Sequence, residues 1–274
     1  MSRSALIISI IFLVACHRTE SLVSSEVRNL KDAIKYVQTN EVKLSPVGVN
    51  VDSVLFVESS SFGLTFPMDD VSLYYAIDQN DYQVFEDNII INQSAAISFF
   101  AHKPEYINSD TSSIQVIRCN KNHKQLKLNL SPNPNNKYPG GGSESFIDLK
   151  KGGLNFRSGN IWSGFQSEMV EFNFDFESES KIEEVIFSCL SDHGSWIFMP
   201  DKIEIYEQSK LVGETKLNYP YEAEPAACQF VTIPVLKGVY KNLHVKVYTL
   251  NAIPSWHPGQ GSMPWLFIDE IILN

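Results

Sequence analysis

The sequence predicts an all-β protein of two β-sandwich domains, set behind an apolar leader and one short helical spacer. Three observations predict it. After Ser45-Pro46 the apolar residues fall in short runs rich in Val, Ile, Phe and Tyr, separated by Asp, Asn, Gly, Ser and Pro, the pattern of strands and turns. Segments such as Val170-Glu171-Phe172-Asn173-Phe174-Asp175-Phe176 alternate strictly and put three phenylalanines on one face. Helical periodicity beyond residue 43 is confined to short stretches. The length of 274 residues suits one or two domains of about 150 residues each, and 43% hydrophobic residues are too many for a disordered chain. A net charge of −10 without a basic block argues against a nucleic-acid partner and against peripheral binding to an anionic membrane.

The leader occupies residues 1–15. Arg3 gives it a positive start, and residues 5–14 (ALIISIIFLV) are apolar except for Ser9. The run is too short to span a bilayer, which takes about 20 residues, and reads as a secretory signal. Its ending, Leu13-Val14-Ala15-Cys16, resembles the lipobox of bacterial lipoproteins. That resemblance implies cleavage before Cys16, acylation of the cysteine and a lipid-anchored protein of the bacterial cell envelope. Each buried methylene of the acyl chains would add about 0.8 kcal/mol of membrane affinity. An ordinary signal peptide with an incidental cysteine is the competing reading. The following His17-Arg18-Thr19-Glu20-Ser21 carries one acid and leaves the membrane leaflet and surface display open.

Residues 16–44 hold the anchor and the spacer. Leu22, Val23, Val27, Leu30, Ile34 and Val37 recur at three, four and seven, which predicts an amphipathic helix leaning on the first domain. That domain, 45–131, is expected to be a small sandwich with strands at 53–58, 63–66, 72–77, 89–91, 96–102, 113–118 and 125–130. The boundary follows at Ser131-Pro132-Asn133-Pro134-Asn135-Asn136, where prolines and asparagines favour turns over pairing. The second domain, 138–274, has strands expected at 170–176, 182–189, 202–206, 215–217, 230–235, 243–247 and 265–273. Gly140-Gly141-Gly142 is a permissive loop and not a phosphate cradle, since no Lys-Ser/Thr follows it.

Besides Cys16 the chain has Cys119, Cys189 and Cys228. An odd count in an exported protein means one bridge and a free thiol, or three buried thiols. Cys189 and Cys228 are the candidates for a bridge, and their spacing lacks the CxxC of a zinc site. The six histidines have no metal-like spacing, and no G-x-S-x-G elbow supports a serine hydrolase.

From Tyr138 onward a resemblance appears. Tyr138-Pro139-Gly140-Gly141-Gly142, Phe146-Ile147-Asp148, Trp162-Ser163-Gly164-Phe165, Gly194-Ser195-Trp196-Ile197-Phe198-Met199-Pro200, Trp256-His257-Pro258-Gly259 and Trp265-Leu266-Phe267-Ile268-Asp269-Glu270-Ile271 come in order. They resemble the C-terminal domain of bacterial family 20 β-hexosaminidases, a discoidin-like (F5/8 type C, galactose-binding-like) jelly roll. Leu73-Tyr74-Tyr75-Ala76-Ile77-Asp78 and Ile97-Ser98-Phe99-Phe100-Ala101 are similar to the small Ig-like sandwich preceding it there, with Gln79-Asn80-Asp81 in place of the usual Asp-Gly turn. The catalytic (α/β)₈ barrel of those enzymes needs about 250 residues, and only a short spacer separates Cys16 from the first sandwich. Asp269-Glu270 matches their catalytic pair in composition. Neighbours on a regular strand point to opposite faces, however, so the pair is not expected to flank one glycosidic bond. The expectation is a non-enzyme.

The resemblance implies two kinds of site. In discoidin-like modules an acid in an Asp-Gly turn and a Glu near the last strand hold a structural calcium, an ion that takes six to eight oxygens. Here these are Asp148, followed by Leu149 where the family has Gly, and Glu270. The alternative is a turn cap for Asp148 and an ion pair for Glu270. Sugar rings stack on exposed aromatics beside polar groups, which makes Trp196 with His193, and Trp256 with His257, the candidate glycan contacts. Core filling is the competing role for each tryptophan. The expected partner is a glycan, for instance one containing N-acetylhexosamine. The alternative is a scaffold that keeps the packing surface of these domains and meets a protein partner.

Overall fold

The computed structural model describes residues 39–120, 126–157, 160–218 and 222–274. The leader, Cys16 and the spacer helix lie outside them. Among the described residues the regular structure is all β, broken only by 3₁₀ turns at Thr39–Glu41, Ser143–Phe146 and His193–Ser195.

The first sandwich is made of β1 (Gly48–Val51), β2 (Leu55–Phe56), β3 (Ser60–Thr65), β4 (Ser72–Ile77), β5 (Gln83–Val84), β6 (Ile89–Ile91), β7 (Ala95–His102) and β8 (Ser112–Arg118). They pair as β1-β3-β6 and β2-β8-β7-β4-β5. On β7 the alternation Ala95, Ile97, Phe99, Ala101 faces inward and meets Phe62, Leu64 and Ile91 of the smaller sheet. The strand expected at 53–58 shrinks to β2, because Ser53 and Ser60 tie the flanking backbone into a turn by reciprocal hydrogen bonds.

The second sandwich contains β9 (Leu126–Ser131), β10 (Ser163–Phe165), β11 (Met169–Ser191), β12 (Lys202–Glu207), β13 (Lys210–Lys216), β14 (Ala227–Tyr248) and β15 (Leu266–Leu273). The segments expected as separate strands at 170–176 and 182–189 are one bent strand, β11, and 230–235 and 243–247 are likewise one, β14. Register shifts at Asp175/Ser180 and Ile182/Glu184 mark the bend. The first half of β11 pairs with β9 and its second half with β15, so each half belongs to a different layer. β9 lies in the stretch expected to close the first sandwich, yet its partner is Glu171–Phe176 of the second. The change of sheet therefore precedes the Pro/Asn stretch at 131–136. Between the layers Phe146, Phe165, Phe172, Phe174 and Phe187 are wholly buried. Each contributes up to about 3 kcal/mol of transfer free energy.

Two registers decide chemistry. Leu190 pairs with Cys228 and Cys189 with Gln229, and residues opposite each other share a face. Cys189 therefore points into the main core while Cys228 sits on the other side of the sheet beside Leu190 and Phe267. The bridge between them is geometrically barred, and the three described cysteines are free thiols. On β15, Ser188 pairs with Glu270 and Cys189 with Ile268, leaving Asp269 as an extra residue. That is a β-bulge. Ile268 and Ile271 both enter the main core, so Asp269 and Glu270 share the opposite, outer face. The expectation that they point to opposite faces fails here, because a bulge resets the period of two.

The two sandwiches meet through Leu55, Ile117 and Cys119 of the first and Ile186 and Ile272 of the second. Asn274 clasps the joint, its amide donating to Arg118 O at 3.0 Å and Glu184 Oε1 at 3.1 Å.

Candidate functional site

The turn after β11 builds the most open aromatic position among the described residues of the second sandwich. Asp192 caps it by accepting from the Ser195 amide at 3.2 Å, and the Trp196 amide donates to His193 O at 2.9 Å. Trp196 is thereby held at φ 65°, ψ 24°, a left-handed conformation that costs a non-glycine residue about 1–2 kcal/mol. Strained backbone persists where the surroundings enforce it, often at binding sites. The indole is 41% exposed. It rests on Gly259, where a Cβ would come within 2.9 Å of the ring, and His257 meets its edge at 6.2 Å. One side of the ring is thus fixed by backbone. Nearby, Arg157 reaches Ser195 Oγ at 3.3 Å.

The other expected contacts lie beneath this position. His257 is buried, its Nδ1 accepting from the Gly259 amide at 3.0 Å. Its Nε2 therefore carries the proton donated to His193 O at 2.8 Å. Both ring nitrogens are committed to bracing the loop. Trp256 is half-buried, packed between His193, Phe198 and His257. His193 is buried against Phe198 at 4.7 Å, its Nδ1 accepting from the Glu224 amide at 3.1 Å and its Nε2 lying 3.3 Å from Ser191 Oγ. Burial lowers its pKa and keeps the ring neutral. Of the four candidate contacts, Trp196 faces solvent and the other three support it. Trp162 is core, donating to Gly153 O at 2.9 Å.

A cavity of about 360 Å3 opens beside His193, lined by Ser191, Phe198, Met199, Leu217, Asn218, Glu224 and Gln229. Its lining mixes amides and a carboxylate with apolar side chains, the mixture a sugar needs. Asn218, Glu224 and Gln229 escape sequence reasoning because they come from three segments that only the folded loops bring together. Arg157 escapes it for the same reason.

The two acids of the β15 bulge behave differently. Asp269 is wholly buried, and its Oδ2 accepts from Lys151 Nζ at 3.0 Å and from the Gly152 amide. Lys151 also lies over the Trp162 ring at 4.7 Å. The Ser188 hydroxyl faces Asp269 without completing a hydrogen bond to Oδ1. Burial raises the Asp269 pKa against the pull of Lys151. Glu270 is also wholly buried, and neither of its oxygens has a hydrogen-bond partner. Burial pushes its carboxyl up to about 9, helped by the charges of Asp148 and Asp269, while the amides of Leu149 and Lys150 point toward it and offset part of the rise. Asp148 accepts from the Lys150 amide at 3.0 Å and pairs with Lys150 Nζ at 2.9 Å. Leu149 keeps a left-handed φ of 62°, the geometry for which glycine is the easier residue.

This arrangement fits a hard cation in one respect, an orphaned buried carboxylate with a second acid beside it. Asp148 also serves as the turn cap of the alternative reading. Among the described residues no cluster of three or more His, Cys, Asp or Glu side chains is poised for a metal, so backbone oxygens would have to complete the set.

No family model matches the chain, and no curated protein does. Among solved structures it is similar to the family 32 carbohydrate-binding module from Streptococcus pneumoniae EndoD, at 9% identity and a TM-score of 0.37, over 56% of this chain and 97% of that one. It is also similar to the family 32 module of Clostridium perfringens NanJ in complex with galactose, at 13% identity, a TM-score of 0.33 and coverage of 56% and 95%. A third is CpGH89CBM32-5 from Clostridium perfringens in complex with GalNAc-β-1,3-galactose, at 10% identity, a TM-score of 0.35 and coverage of 56% and 96%.

Proposed function

We propose that this protein is a non-catalytic glycan-binding module of the bacterial cell envelope, anchored to a membrane by acylation at Cys16. The observation that carries the binding reading is Trp196, an exposed indole held on a glycine in a strained backbone and supported by His257 and Trp256. A pyranose lays its apolar C–H face on that ring. Arg157, held beside that ring at Ser195 Oγ, offers the sugar's hydroxyls a partner. The sequence resemblance to hexosaminidase accessory domains supports a glycan containing N-acetylhexosamine, and the cavity beside His193, with its mixed polar and apolar lining, is a further candidate place for such a sugar. The non-catalytic reading rests on the burial of Asp269 and Glu270, which leaves neither carboxylate within reach of a glycosidic bond.

A structural calcium belongs to the same proposal. Asp148 and Glu270 would hold it with backbone carbonyls of the 147–150 turn. It would neutralise a carboxylate that otherwise has to stay protonated.

Glycan-array binding of the protein, with and without calcium chelation, tests the reading. Reproducible binding lost in Trp196→Ala with unchanged thermal stability supports it. A silent array from folded, calcium-loaded protein overturns it. The anchor is tested separately, by mass spectrometry of the mature N-terminus and by Cys16→Ser.

A further inference from the structure

The first sandwich is strongly and unevenly charged. Residues 39–120 carry eleven acids and three bases. Each base is already engaged. Lys43 pairs with Asp110, Lys103 Nζ donates to Asp69 O at 2.8 Å, and Arg118 Nε donates to Val57 O at 3.3 Å. Among the described residues Asp81, Glu86 and Asp87 have no ion-pair partner, and all three are exposed.

These acids flank an aromatic row on the outer face of the larger sheet. Tyr74 and Phe100 are cross-strand partners with rings stacked at 5.2 Å and 8°. Tyr82 stands edge-on to Phe100 at 5.0 Å, and Val84 pairs with Tyr74 from the edge strand β5. Tyr82 is 44% exposed and Val84 51%. Phe85 packs against the core, so alternation along the chain turns Val84 and Glu86 outward together. Asp81 adjoins Tyr82 at the other end of β5.

Chemistry narrows what can cover this face. Tyr74 and Phe100 cover each other's faces, so they do not lie flat as a sugar platform does. Anionic lipid and nucleic acid are repelled by the acids. Lysine and arginine gain twice here, from unpaired carboxylates and from tyrosine rings that attract cations. Aromatic and apolar area between the acids supplies the desolvated centre that a protein interface needs. We infer that this face docks a lysine- or arginine-bearing segment of a partner protein. Its apolar side chains rest on Tyr74, Phe100, Tyr82 and Val84, and its cations meet Asp81, Glu86 and Asp87. The inference stands independently of the glycan reading, which concerns the second sandwich.

Calorimetry and hydrogen exchange on the full-length protein test it with a defined probe, an acetylated and amidated peptide of Arg-Leu-Gly repeats. Expected are one-to-one binding at low salt, weakened about ten-fold as salt rises to about 0.3 M, and slowed exchange over residues 72–102. The triple variant Asp81→Asn, Glu86→Gln, Asp87→Asn and the single variant Tyr82→Ser should each weaken binding about five-fold or more. Removing the same charge from the second sandwich, with Glu177→Gln, Glu179→Gln and Glu214→Gln, should leave binding unchanged. All these positions are exposed, so every variant should melt as the native chain does. Absence of binding by folded protein overturns the inference, and so does equal binding of the same peptide with Glu in place of Arg. Equal weakening by the second-sandwich triple reduces the effect to bulk attraction and overturns it as well. Self-association that protects 72–102 without peptide assigns the face to a second copy and likewise overturns it.

Discussion

Two regions of the second sandwich contain the residues that a chemist would underline in the sequence, and they have opposite fates. The β15 bulge shuts Asp269 and Glu270 away from water and pairs Asp269 with the half-buried Lys151. The turn at 192–198 collects Trp196, Trp256, His193 and His257 and leaves one indole open. At the bulge, charge is buried and must be neutralised by an ion pair, by a proton or by a cation. At the turn, both ring nitrogens of His257 and the Nδ1 of His193 are spent on backbone and the His193 Nε2 lies against the Ser191 hydroxyl, and what reaches solvent is an aromatic surface. The lesson is that residue type names possible chemistry, while burial decides which part of it is available.

Breaking the closed region should give the largest effect. Lys151→Met leaves Asp269 buried without its partner, and loss of one member of such a pair costs about 3–5 kcal/mol. Urea denaturation should show that loss, and Lys151→Met combined with Asp269→Leu should recover much of it. If Lys151→Met is as stable as the native chain, the bulge is open to water and the contrast between the two regions collapses.

The next effect is a pH dependence. A carboxyl raised in the folded state to about 9 retains its proton where the unfolded chain has lost it. Its stabilising contribution is complete below the unfolded value near 4.5 and is lost as pH rises through about 9. In chelator, melting temperature should therefore fall across that window, and Glu270→Gln should flatten the fall. Millimolar calcium should raise the melting temperature of the native protein at pH 8 and leave Glu270→Gln unmoved. An identical slope in the variant would remove Glu270 from the account.

The open region sharpens the comparison from the other side. Trp196→Ala should weaken glycan binding by at least ten-fold, about 1.4 kcal/mol, measured by calorimetry with a glycan found on the array. Folding stability should change by no more than about 0.5 kcal/mol, as at surface positions. Gly259→Ala should also weaken binding, because its methyl lifts the indole. Smallest of all is the effect of reductant. With Cys189 and Cys228 on opposite faces, dithiothreitol should leave melting unchanged, and thiol titration after denaturation should count Cys119, Cys189 and Cys228 as free.

Much of the fold was legible in local pattern. Residues 170–176 alternate so plainly that the sequence marks their inward face, and the apolar run of residues 72–77 marks the extent of β4. The stack of phenylalanines in the second core follows from that alternation. Less legible was continuity. Residues 177–181 are polar and read as a break, yet β11 runs through them because two layers share the strand and its backbone bonds continue across the bend. The allegiance of β9 was hidden for a related reason, since alternation gives a strand's faces and not its partner. At the candidate site the residue types were legible. Their exposure was not, and Trp256-His257, which stands out in the sequence, proved to be the brace under Trp196.

By itself the sequence determined the all-β architecture, the two sandwiches and the inventory of aromatic and acidic residues. These follow from composition and from a period of two, which are local properties. Only the tertiary structure decided that a single inserted residue turns Asp269 and Glu270 to one face and that the two cysteines cannot meet. It also decided that Trp196 is held open by a glycine more than sixty positions away in the chain. Each of these depends on register and on contacts between distant segments. Local pattern carries no information about either.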